Sequence, residues 1–309
     1  MADQLPAWFI HAVTDNVTHL AQQKQTQGMA AVRVHEGVVG KTYPFQRMAA
    51  VSMSEVFIRD GDTQYLNPTL SKRRAILRDF TAAILIDDFD KIKTLTDPQS
   101  EFAQALAWAR NRTLDDLILG VVGLGTTLGT AGTQTGGILG NATNVDEAAE
   151  TNALTDLPDA QHIVDGGTNL TMAKIALAAF TMDAAEIDAD DRYFFYSPAG
   201  MKKLLTDTQV TSSDYSTINA LMRGGFPQDQ TWMGFKWRRS TRLPLSGNIR
   251  SNIAVQKNAV GLAVGMIEGV EIDRAVHKNN NTQVLIKLSA GAVRIEDAGV
   301  VQVNIDEAA

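Results

Sequence analysis

The spacing of apolar positions changes several times along this chain. From Pro6 to Lys24, Phe9, Val13, Val17 and Leu20 recur at helical spacing, with Pro6 near the first turn. Asp15, Asn16, Gln22, Gln23 and Lys24 cover the other side. Such a terminal helix either packs into the core of its own chain or lies as an arm on another subunit. From Ala31 to about Arg78 the period is two: Val32 and Val34 alternate with Arg33 and His35, and Val51, Met53 and Phe57 with polar positions. Asp60-Gly61 is a hairpin-turn signal, and Asn67-Pro68 marks another turn. Large apolar side chains are sparse here, and an isolated two-stranded ribbon is marginal in water. The segment is expected to project and gain order on something else; the alternative is an edge hairpin folded back on its own domain.

Phe80 to Ile92 holds the apolar run Ala82–Ile86, followed by Asp87, Asp88 and Asp90. Asp97-Pro98 then opens a long helix to about Gly123, since Asp caps free N–H groups and Pro tolerates the first helical position. Phe102, Leu106, Ala109, Leu117 and Val121 mark its stripe, and Arg112 and Asp116 are spaced to pair one turn apart. Such a helix spans roughly 35–40 Å, which suits a spine. Gly123 to Thr155 is rich in Gly, Thr, Ala and Asn and reads as a long loop or weak hairpin.

A helix from Asn169 to Ile187 is apolar on more than one face through Leu170, Ala173, Ile175, Leu177 and Phe180, and is expected to be buried. An aromatic strand, Arg192–Tyr196, follows. Ser197-Pro198 restarts a helix, Tyr215 to Arg223 is a further one, and Trp232 to Thr241 is a strand. Ile253 to Ile267 is an apolar stretch holding Gly261 and Gly265. Together these make a compact α/β block. Val270 to Ile305 reads as a β-meander whose alternation implies one buried face, and the long helix is its simplest partner.

Composition narrows the chemistry. The 309 residues allow a substantial core, and length alone suggests about two domains. A net charge of -7 argues against a broad basic face gripping nucleic acid. The absence of cysteine excludes disulfides, thiolate nucleophiles and Cys-ligated metals. The first residues lack the basic-then-apolar pattern of a secretory signal, and no apolar run reaches the roughly 18–20 residues that span a bilayer.

No motif assembles an active site. Gly40-Lys41-Thr42 is a P-loop fragment, but His35 stands where the pattern needs Gly, and Tyr43-Pro44-Phe45 favours extended backbone over a helix start. A glycine turn is the better reading. Gly123, Gly125, Gly129 and Gly132 resemble a loose dinucleotide loop but follow a helix instead of a strand. Asp87, Asp88 and Asp90 suit capping or pairing with Arg73, Arg74 and Arg78 better than a hard cation. Asp188, Asp190 and Asp191 read as a solvated loop. His11, His19, His35, His162 and His277 are scattered, with no helical metal pair. Arg238, Arg239 and Arg242 beside Trp232 and Trp237 suit a contact between subunits better than base stacking. No catalytic, cofactor-binding or metal residue is assigned, and no cofactor is expected.

Four stretches, in order, carry a resemblance. They are the ribbon with Arg73-Arg74, "AAILIDDFDKIKTLTDPQSEFAQALAWARNRTLDDLILG" from Ala82, "RYFFYSPAGMKKLL" from Arg192, and "VQKNAVGLAVG" from Val255. Over nearly its whole length the chain resembles the major capsid proteins of tailed bacteriophages, with the Hong-Kong-97-type fold. The resemblance implies an α+β chain built as an N-terminal arm (1–30), an extended β-hairpin loop (31–78), a peripheral domain (79–168, with a spine helix over 97–123), an axial α/β domain (169–267) and a second peripheral part (268–309, the β-meander).

It implies a structural protein, not an enzyme, located in the virion capsid and assembled in the host cytoplasm. Sister copies would join as hexamers and pentamers in an icosahedral shell around double-stranded DNA, which is held without sequence-specific contacts. Arm and loop would order on neighbours, and a later shift between packings would expand an immature shell. Portal, scaffolding and decoration proteins are the other implied partners; no membrane is involved. Some relatives crosslink a Lys to an Asn of a neighbour, but Lys41 and Asn279–Asn281 match no motif for that chemistry. An encapsulin-like nanocompartment shell is the alternative on the same fold. Alternatives off it are a nucleotide-binding enzyme built on Gly40-Lys41-Thr42 and another virion component such as a tail protein.

Overall fold

The computed structural model describes residues 22–53, 55, 62, 63, 65–86, 99–120, 136–146, 151–206, 231–267 and 269–309. Its first elements are β1 (Arg33–Glu36), β2 (Thr42–Met48), β3 (Leu70–Ile76), β4 (Arg78–Ile86), the long helix α1 (Gln99–Leu119), β5 (Ala142–Asp146), β6 (Thr151–Thr155) and β7 (His162–Ile163). Next come α2 (Met172–Ala184), β8 (Arg192–Tyr196), α3 (Pro198–Thr206), β9 (Thr231–Trp232), β10 (Phe235–Arg239) and β11 (Leu245–Ser246). The last strands are β12 (Ile249–Gln256), β13 (Val260–Ile267), β14 (Glu271–Ala275), β15 (Asn281–Arg294) and β16 (Val300–Asp306). Among the described residues no helix is long and apolar enough to cross a membrane.

The chain divides into two compact units. The first comprises Met1–Thr26, Asp79–Thr113 and Met266–Ser289. Its core joins Ile86 of β4, Leu106 of α1, and Val284 and Ile286 of β15, with Ile84, Phe102 and Ala103 packed against them. Phe102 and Leu106 stand one helical turn apart, so both reach the same surface. Val284 and Ile286 repeat every second residue and share one sheet face. Burying the four core side chains contributes roughly 6–12 kcal/mol gross, an upper bound. This is the partnership between long helix and C-terminal strands that the pattern predicts. β14 and β15 form a hairpin, with Glu271 opposite Leu285 and Ala275 opposite Asn281. Asn279 and Asn280 turn it at φ of 50° and 59°, left-handed values that asparagine tolerates.

The incoming chain is tied to α1. Arg112 donates to the Gln22 side chain at 2.6 Å, and Asn111 to the Lys24 carbonyl at 2.8 Å. The Lys24 ammonium lies 4.9 Å from the centre of the Trp108 ring. Residues 22–24 are not helical, so the helix expected over Pro6–Lys24 does not include them. Residues 6–21 lie outside the described residues.

The second unit comprises Gln27–Arg78, Leu114–Gly265 and Ala290–Ala309. Its largest sheet has the order β7-β16-β12-β8-β10-β9, with β11 beside β12. Phe194, Tyr196, Phe235, Trp237, Ala254, Val301, Val303 and Ile305 fall on one face of it, covered by Ile175, Ala178 and Met182 of α2 and Met201 and Leu204 of α3. The helix expected over Asn169–Ile187 is shorter, Met172–Ala184, and both helices carry a side-chain cap. Thr171 accepts from the Lys174 N–H at 3.4 Å, and Ser197 from the Gly200 N–H at 3.1 Å. A second sheet, order β2-β3-β5-β6, is antiparallel throughout. Its β5–β6 pair is the weak hairpin expected before Thr155. β1 pairs in parallel with β13, Arg33 opposite Gly261.

Several expectations are corrected. The meander does not run to Ile305: β16 pairs with β12 from Ile249↔Asp306 to Val255↔Val300, in a sheet that does not contain β14 or β15. Alternation marks a strand with a buried face but does not say which sheet takes it. Within the expected meander, β15 is a single strand that runs unbroken from Asn281 to Arg294. The strand expected over Trp232–Thr241 is a tight hairpin, turned by Met233 and Gly234 at φ of 50° and 80°. The spine is shorter than 97–123; it ends at Leu119, with Gly120 at φ 77°. Arg112 and Asp116 do not pair, since Arg112 takes Gln22 and Asp116 takes Arg242. The segment 31–78 is not all hairpin loop, because β1 lies in the sheet of β13. The Asp97-Pro98 start, Asp60-Gly61, the acids at 87, 88 and 90, the glycines from 123 to 132, His11, His19 and the helix Tyr215–Arg223 lie outside the described residues.

Candidate functional site

β2 and β3 pair from Thr42↔Ile76 to Met48↔Leu70; Phe45, Arg73 and Ala75 are buried, and the far end is exposed on both strands. At its root Phe45 and Ala75 are buried against Val38, Ala142, Ala263, Val293 and Ile295. From Met48 to Ser71 every described residue is exposed. That stretch includes Met48 at 66%, Met53 at 100%, Tyr65 at 90% and Leu70 at 73%, with Val51 and Leu66 also open to solvent. Met48 and Leu70 are directly opposed across the pair, so they present one apolar surface at the far end of the ladder. A cluster of exposed large apolar side chains of this kind marks a contact surface.

The border between buried root and exposed end is held by charge. Arg73, buried, donates to both oxygens of Asp297 at 2.7 and 2.6 Å and to the Arg294 carbonyl at 3.0 Å. Arg294, fully buried, donates to the same carboxylate at 2.5 Å and to the carbonyls of Ile138, Gly140 and Thr155 at 3.0, 2.9 and 3.1 Å. Arg47 of β2 donates to the Ile295 carbonyl at 3.0 Å. Burial pushes the Asp297 carboxyl up, but hydrogen bonds from Arg73 and Arg294 outweigh it and hold the group below the ordinary carboxylate value. Burial lowers Arg294, and the Asp297 contacts oppose that shift. Burial and the Arg73 charge lower Arg47, with Asp297 and Glu296 acting the other way.

A second apolar surface lies on α2. Its buried face carries Ile175, Ala178 and Met182, but Leu177 and Phe180 are 47% and 67% exposed. The expectation that this helix is buried all round is therefore corrected. A helix apolar on two faces has one for its own core and a second left to solvent in the single subunit.

Lys174, which interrupts the apolar pattern of α2, is turned inward. Its ammonium donates to the carbonyls of Asp165, Thr168, Asn169 and Asn304 at 2.8, 2.7, 3.2 and 3.1 Å. Three protons are shared among four oxygens, of which those of Asp165 and Thr168 also accept the N–H groups of Thr168 and Asp306, both at 3.0 Å. Asp115, also buried, plays the complementary part and accepts the backbone N–H groups of Gln27 and Gly28 at 2.9–3.0 Å.

The remaining candidates are dispersed. Gly40 is a turn residue at φ 116°, Lys41 is exposed, and the chain continues into strand β2, so this turn does not lead into a helix as a P-loop does. Asp191 pairs with Lys236 at 2.5 Å, and the Asp188 side chain accepts the Asp190 N–H. His35 stacks on Tyr43 at 4.2 Å, and His162 contacts the Leu157 carbonyl at 3.2 Å. Arg238 lies 5.8 Å from the Tyr193 ring centre, Arg239 is exposed, and Arg242 is bound to Asp116 within its own chain. Among the described residues no group of three or more His, Cys, Asp or Glu side chains is placed to hold a metal.

Comparison with known proteins gives this arrangement its meaning. A family model described as phage capsid protein matches residues 5–307. Among solved structures, the capsid of Ralstonia phage GP4 superimposes with a TM-score of 0.68 at 12% identity, covering 96% of this chain and 94% of that one. The capsid of cyanophage P-SCSP1u gives 0.67 at 16%, covering 96% and 92%. Mycobacterium phage Che8 gives 0.62 at 14%, covering 98% of each chain. A search of curated protein sequences gives no match. At these identities the structures establish the fold, the α+β Hong-Kong-97-type architecture, and the family model establishes the relationship. The chain belongs to the phage capsid protein family, and it is a structural protein of the virion shell, not an enzyme.

Proposed function

We propose that many copies of this major capsid protein close into an icosahedral head shell of hexamers and pentamers around the double-stranded DNA of a tailed phage. The observation that carries this reading is the ribbon end: Met48, Met53, Tyr65 and Leu70 are exposed in the single chain and need a neighbour. Leu177 and Phe180 on α2 supply a second apolar contact. In this reading residues 1–30 are the arm and the ribbon within 31–78 is the extended loop. The unit built on α1, β4 and β14–β15 acts as the peripheral domain. The block around 169–267 acts as the axial domain, and β16 joins its sheet. Weak contacts repeated over a closed surface add up, so no single one has to be strong. Scaffolding, portal and decoration proteins act as partners, and assembly takes place in the host cytoplasm.

Electron microscopy of the purified protein tests this. Icosahedral particles are expected. A small stable monomer at high concentration contradicts the reading, and tubes point to a tail component. Particles purified from the native source that hold an enzyme in place of DNA point to a nanocompartment.

A further inference from the structure

The ribbon ladder has two strands, and one arginine from each fixes its root to the same short segment. Arg47 on β2 and Arg73 on β3 both bond residues 294–297, between β15 and β16. That segment is itself anchored. Ile295 and Glu296 donate their N–H groups to the Ala259 carbonyl at 2.7 and 3.1 Å, and Gln256 donates to the Gly299 carbonyl at 2.9 Å. Arg294 extends the anchorage to Ile138, Gly140 and Thr155, which flank β5 and end β6. One carboxylate, Asp297, is the shared counter-ion of Arg73 and Arg294. All of these groups lie in the same unit.

We propose that Asp297 is the positioning residue of the ribbon: it fixes the bearing at which β2 and β3 leave the root, and so where their apolar end meets a sister copy. The physical reason is leverage. From Met48 to Ser71 every described residue is solvent-exposed, so this end contributes little to its own orientation. A small rotation at the Phe45–Arg73 level is magnified along the remaining strand length. A bidentate guanidinium–carboxylate pair resists such rotation because both of its bonds are directional. Asp297 touches no partner in this scheme; it acts through Arg73. The proposal rests on the capsid reading for its consequence, but not for its geometry.

The test compares Asp297→Asn with Asp297→Glu, which keeps the charge, and with Val303→Ala, a core variant in the large sheet used at a matched melting temperature. Hydrogen exchange in Leu70–Ile76 is read against exchange in Ile249–Gln256, and particle diameters are read by electron microscopy. Asp297→Asn is expected to raise exchange in the ribbon root about tenfold or more relative to Ile249–Gln256, the loss of one charge-assisted bond. It is also expected to broaden the particle diameters. Asp297→Glu restores both in part, and Val303→Ala, whose residue pairs with Asn252, raises exchange in Ile249–Gln256 while leaving Leu70–Ile76 and the diameters at their wild-type values. Equal loosening of both strands, or wild-type diameters with Asp297→Asn, overturns the proposal. If Asp297→Asn does not fold, Arg73→Lys and Arg47→Ala decide in its place: unchanged root exchange in both sinks it. If the wild type forms no particles, the capsid reading fails, while the exchange result still judges the clasp.

Discussion

Replacing Met48 and Leu70 with lysine separates assembly from folding. The two residues face each other at the end of the β2–β3 ladder and are 66% and 73% exposed, so the single subunit gains little from them. Their substitution is expected to change folding stability by no more than about 0.5 kcal/mol, the usual range for surface positions. In a shell a neighbouring copy covers what is now exposed. Complete burial of a Met or Leu side chain is worth about 1.5–3 kcal/mol. Scaled by the exposed fractions, each residue contributes about 1–2 kcal/mol, or about 2–4 kcal/mol per docked ribbon. That corresponds to a 30- to 1000-fold range, roughly, in the association constant at each contact. The assay is a thermal melt of the variant beside light scattering and electron microscopy over a concentration series. The expected result is a wild-type melting temperature with particles absent at concentrations where the wild type assembles. Assembly at the wild-type concentration refutes burial of the ribbon end. Loss of the folded subunit refutes its exposure.

Three further outcomes follow from the packing. Lys174→Met removes a donor shared by four carbonyls, two of which keep another, and a loss of about 1–3 kcal/mol is expected, read as a fall of about 5 °C in melting temperature. Gly291→Ala places a Cβ 2.2 Å from the Ile76 carbonyl oxygen and 2.6 Å from its carbon, so backbone must shift. It is expected to cost about 1–3 kcal/mol or more, measured by denaturant unfolding. Asp297 carries a depressed folded pKa, so its contribution is present above the unfolded carboxylate value and lost as pH falls through the folded one. The melting difference between wild type and Asp297→Asn is therefore expected to be full at neutral pH and to close once pH drops below about 4. A difference that is constant down to acid pH contradicts the charge pairing.

Periodic segments were legible and long-range polar pairing was not. Phe102 and Leu106 on α1, with Val284 and Ile286 on β15, follow spacings that fix both element and buried face, so the helix-on-sheet core could be read directly. The ribbon was legible because its alternating residues are too few to build a two-sided core. β16 was misplaced because Val301, Val303 and Ile305 alternate just as a strand of the β14–β15 sheet would. Only pairing with β12 tells them apart, and pairing is not local. The Arg73–Asp297 bond joins residues 224 positions apart, within a "RIEDAG" stretch that reads as a solvated turn. Lys174 looked like an interruption because a lysine inside an apolar helix is ordinarily exposed. Nothing nearby in sequence announces that the Asn304 carbonyl will meet it. The surplus apolar face of α2 was visible in the pattern, but whether a core or a neighbour covers it is a question of assembly.

Methionine oxidation reads the covering of the ribbon end without any substitution, because the chain supplies its own references. Met48 and Met53 sit on the exposed ribbon, and Met182 and Met201 are fully buried in the large sheet's core. Oxidation follows exposure. In free subunits Met48 and Met53 should react quickly and Met182 and Met201 slowly. In assembled particles Met48 and Met53 should slow toward the buried pair. Particles in which the ribbon methionines react as fast as in the free chain would contradict the claim that sister copies cover this surface.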